Sequence, residues 1–88
     1  MEEYIKVLGV DVHNRTRKRE VVIARQLMWL MLKNSGWSYS KIGREFGYNY
    51  TTIISGVKSI KQSIIQKDEE ALFYFNKLHD YISDEKER

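Results

Sequence analysis

Cysteine and proline are absent from the chain, and only five of its 88 residues are glycine. Without cysteine there is no disulfide framework, no thiolate metal site and no thiol nucleophile, which suits a reducing compartment. Proline and glycine are the two poorest helix formers, so their scarcity favours a helical chain. No apolar run reaches 18 residues, and the N-terminus lacks the basic-then-apolar order of a signal peptide. Neither a membrane span nor a secretory leader is therefore expected, and a cytoplasmic location is. His13 and His79 are the only histidines. A cluster of His79 with Asp80, Asp84 and Glu87 could be drawn as a metal site, but an exposed, charge-mixed helix end is the expected reading. No enzymatic activity and no cofactor are expected.

Acidic residues are nearly missing from the middle of the chain. Residues 14–62 hold ten Lys and Arg against Glu20 and Glu45, net +8, whereas residues 1–13 are net −2 and residues 63–88 net −3. Such a concentration is expected of a phosphate-binding surface, with an ordinary solvated basic face as the alternative. At 42% hydrophobic and 31% charged residues, without repeats or linkers, the composition is that of one small globular domain covering residues 1–88.

Periodicity divides the chain into about five helices. A short helix over 2–8 ends near Gly9, and VDVHNRT at 10–16 has no helical period and reads as a connecting loop. The basic residues Arg15, Arg17, Lys18 and Arg19 lead into a helix over about 18–33 that is apolar on most sides and should lie at the centre of the bundle. Its polar stripe is Gln26 and Lys33, with Arg25 and Trp29 beside them. Arg25 and Gln26, flanked by core residues, must find polar partners, for which phosphate oxygens are suitable. Asp68 is placed to cap a last helix carrying Ala71, Phe75, Leu78 and Ile82 on its inward stripe, and the final DEKER should fray.

Between these lies SYSKIGREFGYNYTTIISGVKSIKQ at 38–62. Ser38 can cap a helix with Tyr39, Ile42 and Phe46 on one face, and Gly47 can close it in the left-handed conformation. Asn49 can cap a second helix in which Ile53, Val57, Ile60 and Ile64 face inward. Two helices joined by a short glycine-containing turn form a helix-turn-helix. Gly43, in mid-helix, would let the second helix cross close over the first. The outward residues Thr51, Thr52, Ser55, Lys58, Ser59 and Gln62 are short and polar at the start and basic or amide-bearing further along, as a helix lying in a major groove requires. Tyr50 either touches a base or sugar or packs on the turn.

The run RKREVVIARQLMWLMLKNSGWSYSKIGREFGYNYTTIISGVKSI resembles the C-terminal DNA-binding domain of the bacterial replication initiator DnaA. EEYIKV is similar to the end of that domain's leading helix. IGREFG followed by TTI, with a small and a basic residue further on, is similar to its signature. The resemblance implies an all-α, Trp-repressor-like bundle. It also implies that Arg17 reaches a minor groove from the basic loop, that Arg25, Gln26 and Lys33 hold phosphates, and that the start of the second motif helix reads the major groove. Where the family usually has GGRDHTT, this chain has GYNYTT, one residue shorter, with Asn49 and Tyr50 at the Asp and His places and Thr51 and Thr52 retained. The resemblance therefore implies DNA binding and leaves the target sequence open. The chain has no P-loop and no ATPase domain, so with Met1 as the start a stand-alone module is expected.

The expected DNA-binding set is Arg15, Arg17, Lys18, Arg25, Gln26, Lys33, Ser40, Asn49, Tyr50, Thr51, Thr52, Ser55 and Lys58. Double-stranded DNA is the expected partner, bound by a monomer, with replication-origin recognition as the related role. The alternatives are a transcriptional regulator using the same scaffold at a different site, and a protein-interaction module using the C-terminal helix.

Overall fold

The computed structural model describes the backbone of residues 2–86 and side chains as far as residue 83. It contains α1 (Glu2–Leu8), α2 (Arg19–Asn34), α3 (Tyr39–Phe46), α4 (Tyr50–Ile65) and α5 (Glu69–Lys86), with no strand among the described residues. The expected frayed tail at 84–88 falls outside the described residues in its side chains and last two positions, and so do the Asp84 and Glu87 side chains of the candidate metal cluster. Among the described residues no group of three or more His, Cys, Asp or Glu could hold a metal ion, and no helix is long and apolar enough to cross a membrane.

The helix boundaries follow from local chemistry. Ser38 accepts a hydrogen bond from the Lys41 N–H (3.1 Å), and Asn49 accepts one from the Thr51 N–H (3.0 Å). Asp68 does the same for the Ala71 N–H (3.0 Å), so each of these side chains satisfies a backbone donor that a helix start leaves unpaired. Gly47 closes α3 at φ 77°, and both its own N–H and that of Tyr48 return to the Gly43 carbonyl.

Helix α2 packs against all four other helices and supplies Ile23, Ala24, Leu27, Met28, Trp29, Leu30 and Leu32 to the core. The expectation of a central, mostly apolar helix is met. Around it close Ile42 and Phe46 of α3, Ile53, Val57 and Ile60 of α4, and Ala71, Tyr74 and Leu78 of α5. Two buried aliphatics come from outside the four long elements. Leu8 ends α1, and Val12, with no exposed surface, pins the connecting loop into the core.

Glycine governs two close approaches. A Cβ on Gly43 would come within 2.5 Å of the Tyr48 carbonyl oxygen. The room it leaves is thus taken by the turn leading into α4, not by the body of that helix as expected. At Gly56 a Cβ would come within 2.4 and 2.6 Å of two Trp29 ring carbons, so the indole of α2 lies directly on the backbone of α4. Trp29 is held there by edge-on contacts with Phe46 (6.1 Å between ring centres) and Tyr48 (5.3 Å), and its indole N–H is buried without a hydrogen-bond acceptor among the described residues.

Candidate nucleic-acid interface

The second helix of the motif presents the expected face. Thr51, Thr52, Ser55, Lys58, Ser59 and Gln62 are all exposed, while Ile53, Gly56, Val57 and Ile60 are buried against α2 and α3. At its start Asn49 is occupied as a cap, since Oδ1 accepts from both the Thr51 N–H and the Thr51 hydroxyl, each at 3.0 Å. The Thr52 and Ser55 hydroxyls have no protein partner among the described residues. Tyr50 is 52% exposed. With Ser40, Arg44 and Asn49 it borders a shallow open depression whose floor includes Gly43, Gly47 and Tyr48. Arg44 is exposed and unpaired among the described residues, and it was not among the expected site residues. Its position two residues after Ile42, on the outer face of α3, was the available signal.

The connecting loop is ordered by its own side chains. Asp11 accepts from the His13 N–H (3.2 Å), Asn14 from the Thr16 N–H (3.1 Å) and the Thr16 hydroxyl oxygen from the Lys18 N–H (3.3 Å). Three successive short-range turns of this kind replace a regular ladder. His13 stacks on Phe46 with ring centres 4.8 Å apart, fastening the middle of the loop to α3.

Of the basic residues here, Arg17 and Lys18 are exposed and carry free cationic heads among the described residues. Arg15 is engaged. Its Nη1 donates to the Gly47 carbonyl (2.9 Å) and its guanidinium lies 4.4 Å from the Tyr48 ring centre, which brings the loop against the turn that launches α4. Arg19 turns away and pairs with Asp68 and, at 3.5 Å, with Glu70.

Arg25 departs most from expectation. It was expected on the solvent stripe of α2, at phosphate, but only 7% of it is exposed. Its Nε donates to the Val12 carbonyl (3.2 Å) and its Nη2 to the carbonyls of Asn14 and, at 3.1 Å, Thr16. The physical reason is that Val12 draws the loop into the core across Arg25, so that three loop carbonyls converge on one planar fork. Trp29, placed on the same stripe, is buried beneath Gly56 and Tyr48.

Gln26, expected on the polar stripe of α2, is half exposed and lies beside α4, its Cγ 3.4 Å from where a Gly56 Cβ would stand. Lys33, also half exposed, projects its Nζ over the Tyr39 ring at 4.5 Å, at the start of α3. Two positions that sequence reasoning missed tie these parts together. Tyr48 lies among Arg15, Arg25 and Trp29, with the Arg25 guanidinium 5.6 Å from its ring centre. Gly56, a glycine on the inward face between Ile53 and Ile60, was legible as a notch in principle.

Comparison with known proteins gives the same assignment from another direction. The family model described as the bacterial dnaA protein helix-turn-helix matches residues 1–60. The chromosomal replication initiator protein DnaA 1 of Chlamydia muridarum is 33% identical over 70 residues, 78% of this chain and 15% of that protein. The DnaA proteins of Rippkaea orientalis and Gloeobacter violaceus are 35% and 36% identical over 92% and 74% of the chain, and 18% and 15% of their own lengths. The chain thus spans less than a fifth of the curated relatives it matches. No solved structure matches it significantly.

Proposed function

The chain belongs to the bacterial DnaA helix-turn-helix family, and from that premise we propose that it binds double-stranded DNA sequence-specifically, through a two-part grip. Helix α4 enters a major groove, where Tyr50, Thr51, Thr52 and Ser55 meet base edges and Lys58 meets the backbone. The ordered loop carries Arg17 and Lys18 to the adjacent minor groove and its phosphates. Gln26, Lys33 and Ser40 add polar contacts along the phosphate track, and Asn49 acts mainly by fixing the start of α4. Residues 1–88 act as one DNA-binding unit, a monomer on one site in the cytoplasm, in a role related to replication-origin recognition.

The observation that carries this reading is the Arg15 bridge to the Gly47 carbonyl, which seats the basic loop beside the start of α4. Two separate basic or polar surfaces would support phosphate binding alone. Their juxtaposition supports simultaneous contact with neighbouring grooves. A site differing from the nine-base-pair DnaA box is favoured by one feature, the exposed aromatic Tyr50 beside Arg44 at the opening of α4.

Enrichment of bound duplexes from a randomised pool tests the reading. A recovered consensus is expected, with an A·T-rich flank where Arg17 sits. Retention of the pool without any consensus would leave phosphate binding only and remove sequence-specific recognition.

A further inference from the structure

We propose that Arg25 is a positioning residue that presets the basic loop for DNA and makes no contact with phosphate itself, and that Arg15 and Tyr48 extend this clamp to the turn before α4. The proposal rests on the duplex-binding reading above and specifies how its loop half is built.

The loop between α1 and α2 has no ladder of its own to hold it. What holds it is Val12 buried in the core, three side-chain turns and the Arg25 fork. Nε and Nη2 of Arg25 bind the carbonyls of Val12, Asn14 and Thr16, so one side chain fixes alternate residues immediately before Arg17. Each of these bonds has a charged donor on a side chain that is only 7% exposed, and charge-assisted bonds are stronger than neutral ones. Turning Arg25 outward to a phosphate would break all of them. Lysine could not substitute, because a single ammonium does not reproduce a planar fork that spans three acceptors.

The clamp continues through Tyr48. The ring has Arg15 at 4.4 Å and Arg25 at 5.6 Å from its centre, with Trp29 edge-on at 5.3 Å. Arg15 also donates to the Gly47 carbonyl. The loop bearing Arg17 and the turn leading into α4 are therefore linked through the same guanidinium groups and one aromatic ring. An order-of-magnitude gain in affinity follows from ordering the loop in advance rather than on binding.

The test joins a DNA-free measurement to a mutant cycle. In the free protein, trypsin should cut after Arg17 or Lys18 at least about tenfold faster in Arg25→Lys than in the parent, both being folded by circular dichroism. Equal rates would overturn the clamp. With duplex, Arg17→Ala should cost severalfold in affinity in the parent and little in the Arg25→Lys background, while Thr52→Ala costs the same in both. The salt slope of Arg25→Lys should fall by about one unit or more, as Arg17 and Lys18 lose their hold on the duplex. An undiminished Arg17→Ala effect, or a salt slope lowered by about one further unit when Arg25→Ala is added to an Arg17→Ala, Lys18→Ala parent, would instead place Arg25 at phosphate. Should Arg25→Lys fail to fold, the Nε–H resonance of Arg25 in the parent decides. It should persist unshifted on saturation with duplex, and a large shift would overturn the proposal. If the parent binds no duplex, the DNA-binding reading fails, and the trypsin comparison still decides the clamp.

Discussion

At the scale of single residues, the same amino acid carries opposite meanings at different positions, and packing decides which. Gly36 has φ 100° and open space around it, so alanine there suffers only from the backbone conformation. Gly56 has ordinary helical backbone but an indole where its Cβ would be. Alanine at Gly56 gains about 1 kcal/mol in helix propensity and loses about 1–3 kcal/mol to overpacking, because Trp29 is wedged between Phe46 and Tyr48 and cannot yield cheaply. Gly56→Ala should therefore lower the urea midpoint, and an unchanged or raised midpoint would show that the ring moves freely. Thr52 illustrates the functional side. Its hydroxyl is free of protein partners, whereas that of Thr51 donates to Asn49. Thr52→Ala should shift preference at one base pair by about 1 kcal/mol, with little change in folding, as read by competition among duplexes differing at single positions. A flat profile would remove Thr52 from the bases.

At the scale of elements, the caps carry the predictions. Removing the Asn49 side chain should cost about 1 kcal/mol of stability in denaturant unfolding, whereas Asn49→Asp should keep the cap and alter base preference through its charge. The start of α5 depends on pH. The Asp68 carboxyl is held below its ordinary value of 3.8, chiefly by the Ala71 N–H and further by the charge and hydrogen bond of Arg19. A lowered folded-state value means that the unfolded chain binds the proton more readily. The stabilisation is thus complete above about pH 4 and is lost as pH falls through the lower folded value. Asp68→Asn should melt below the parent at pH 7, and the gap should close as pH falls below the ordinary carboxyl value and through the lower folded one. A gap that persists in acid would assign the effect to something other than the carboxylate. These caps were legible in the sequence because they depend on residues two or three positions apart. The Ser38, Asn49 and Asp68 starts and the Gly47 stop stand where side-chain chemistry alone puts them. The burial of Arg25 was not legible because its surroundings come from a loop nine to thirteen residues earlier, and no periodicity marks a loop that folds back onto a helix. Val12 gave the one hint, an apolar residue amid VDVHNRT that needs a place to be buried.

At the scale of the whole molecule, charge and shape act together. The bundle measures 35 × 26 × 22 Å, and its basic residues lie in the segment from the loop through α4 while acidic ones gather in α1 and α5. A particle so polarised would approach a polyanion with its basic part leading. Apolar patterning and cap signals made the five-helix architecture readable, and the motif helix that should meet bases was readable from its outward polar residues. The joint between that helix and the basic loop was not, because it runs through Arg15, Gly47 and Tyr48, which are distant in the chain and brought together only by the fold. Sequence-specific duplex binding is tested most directly by titrating the protein against a duplex carrying the consensus recovered from the randomised pool, and against a scrambled version of it, at two salt concentrations. On the order of four phosphate contacts are expected, so the logarithm of affinity should fall with the logarithm of salt at a slope near about −3.6, with a difference between duplexes that survives the higher salt. No binding to either duplex at the lower salt would contradict it.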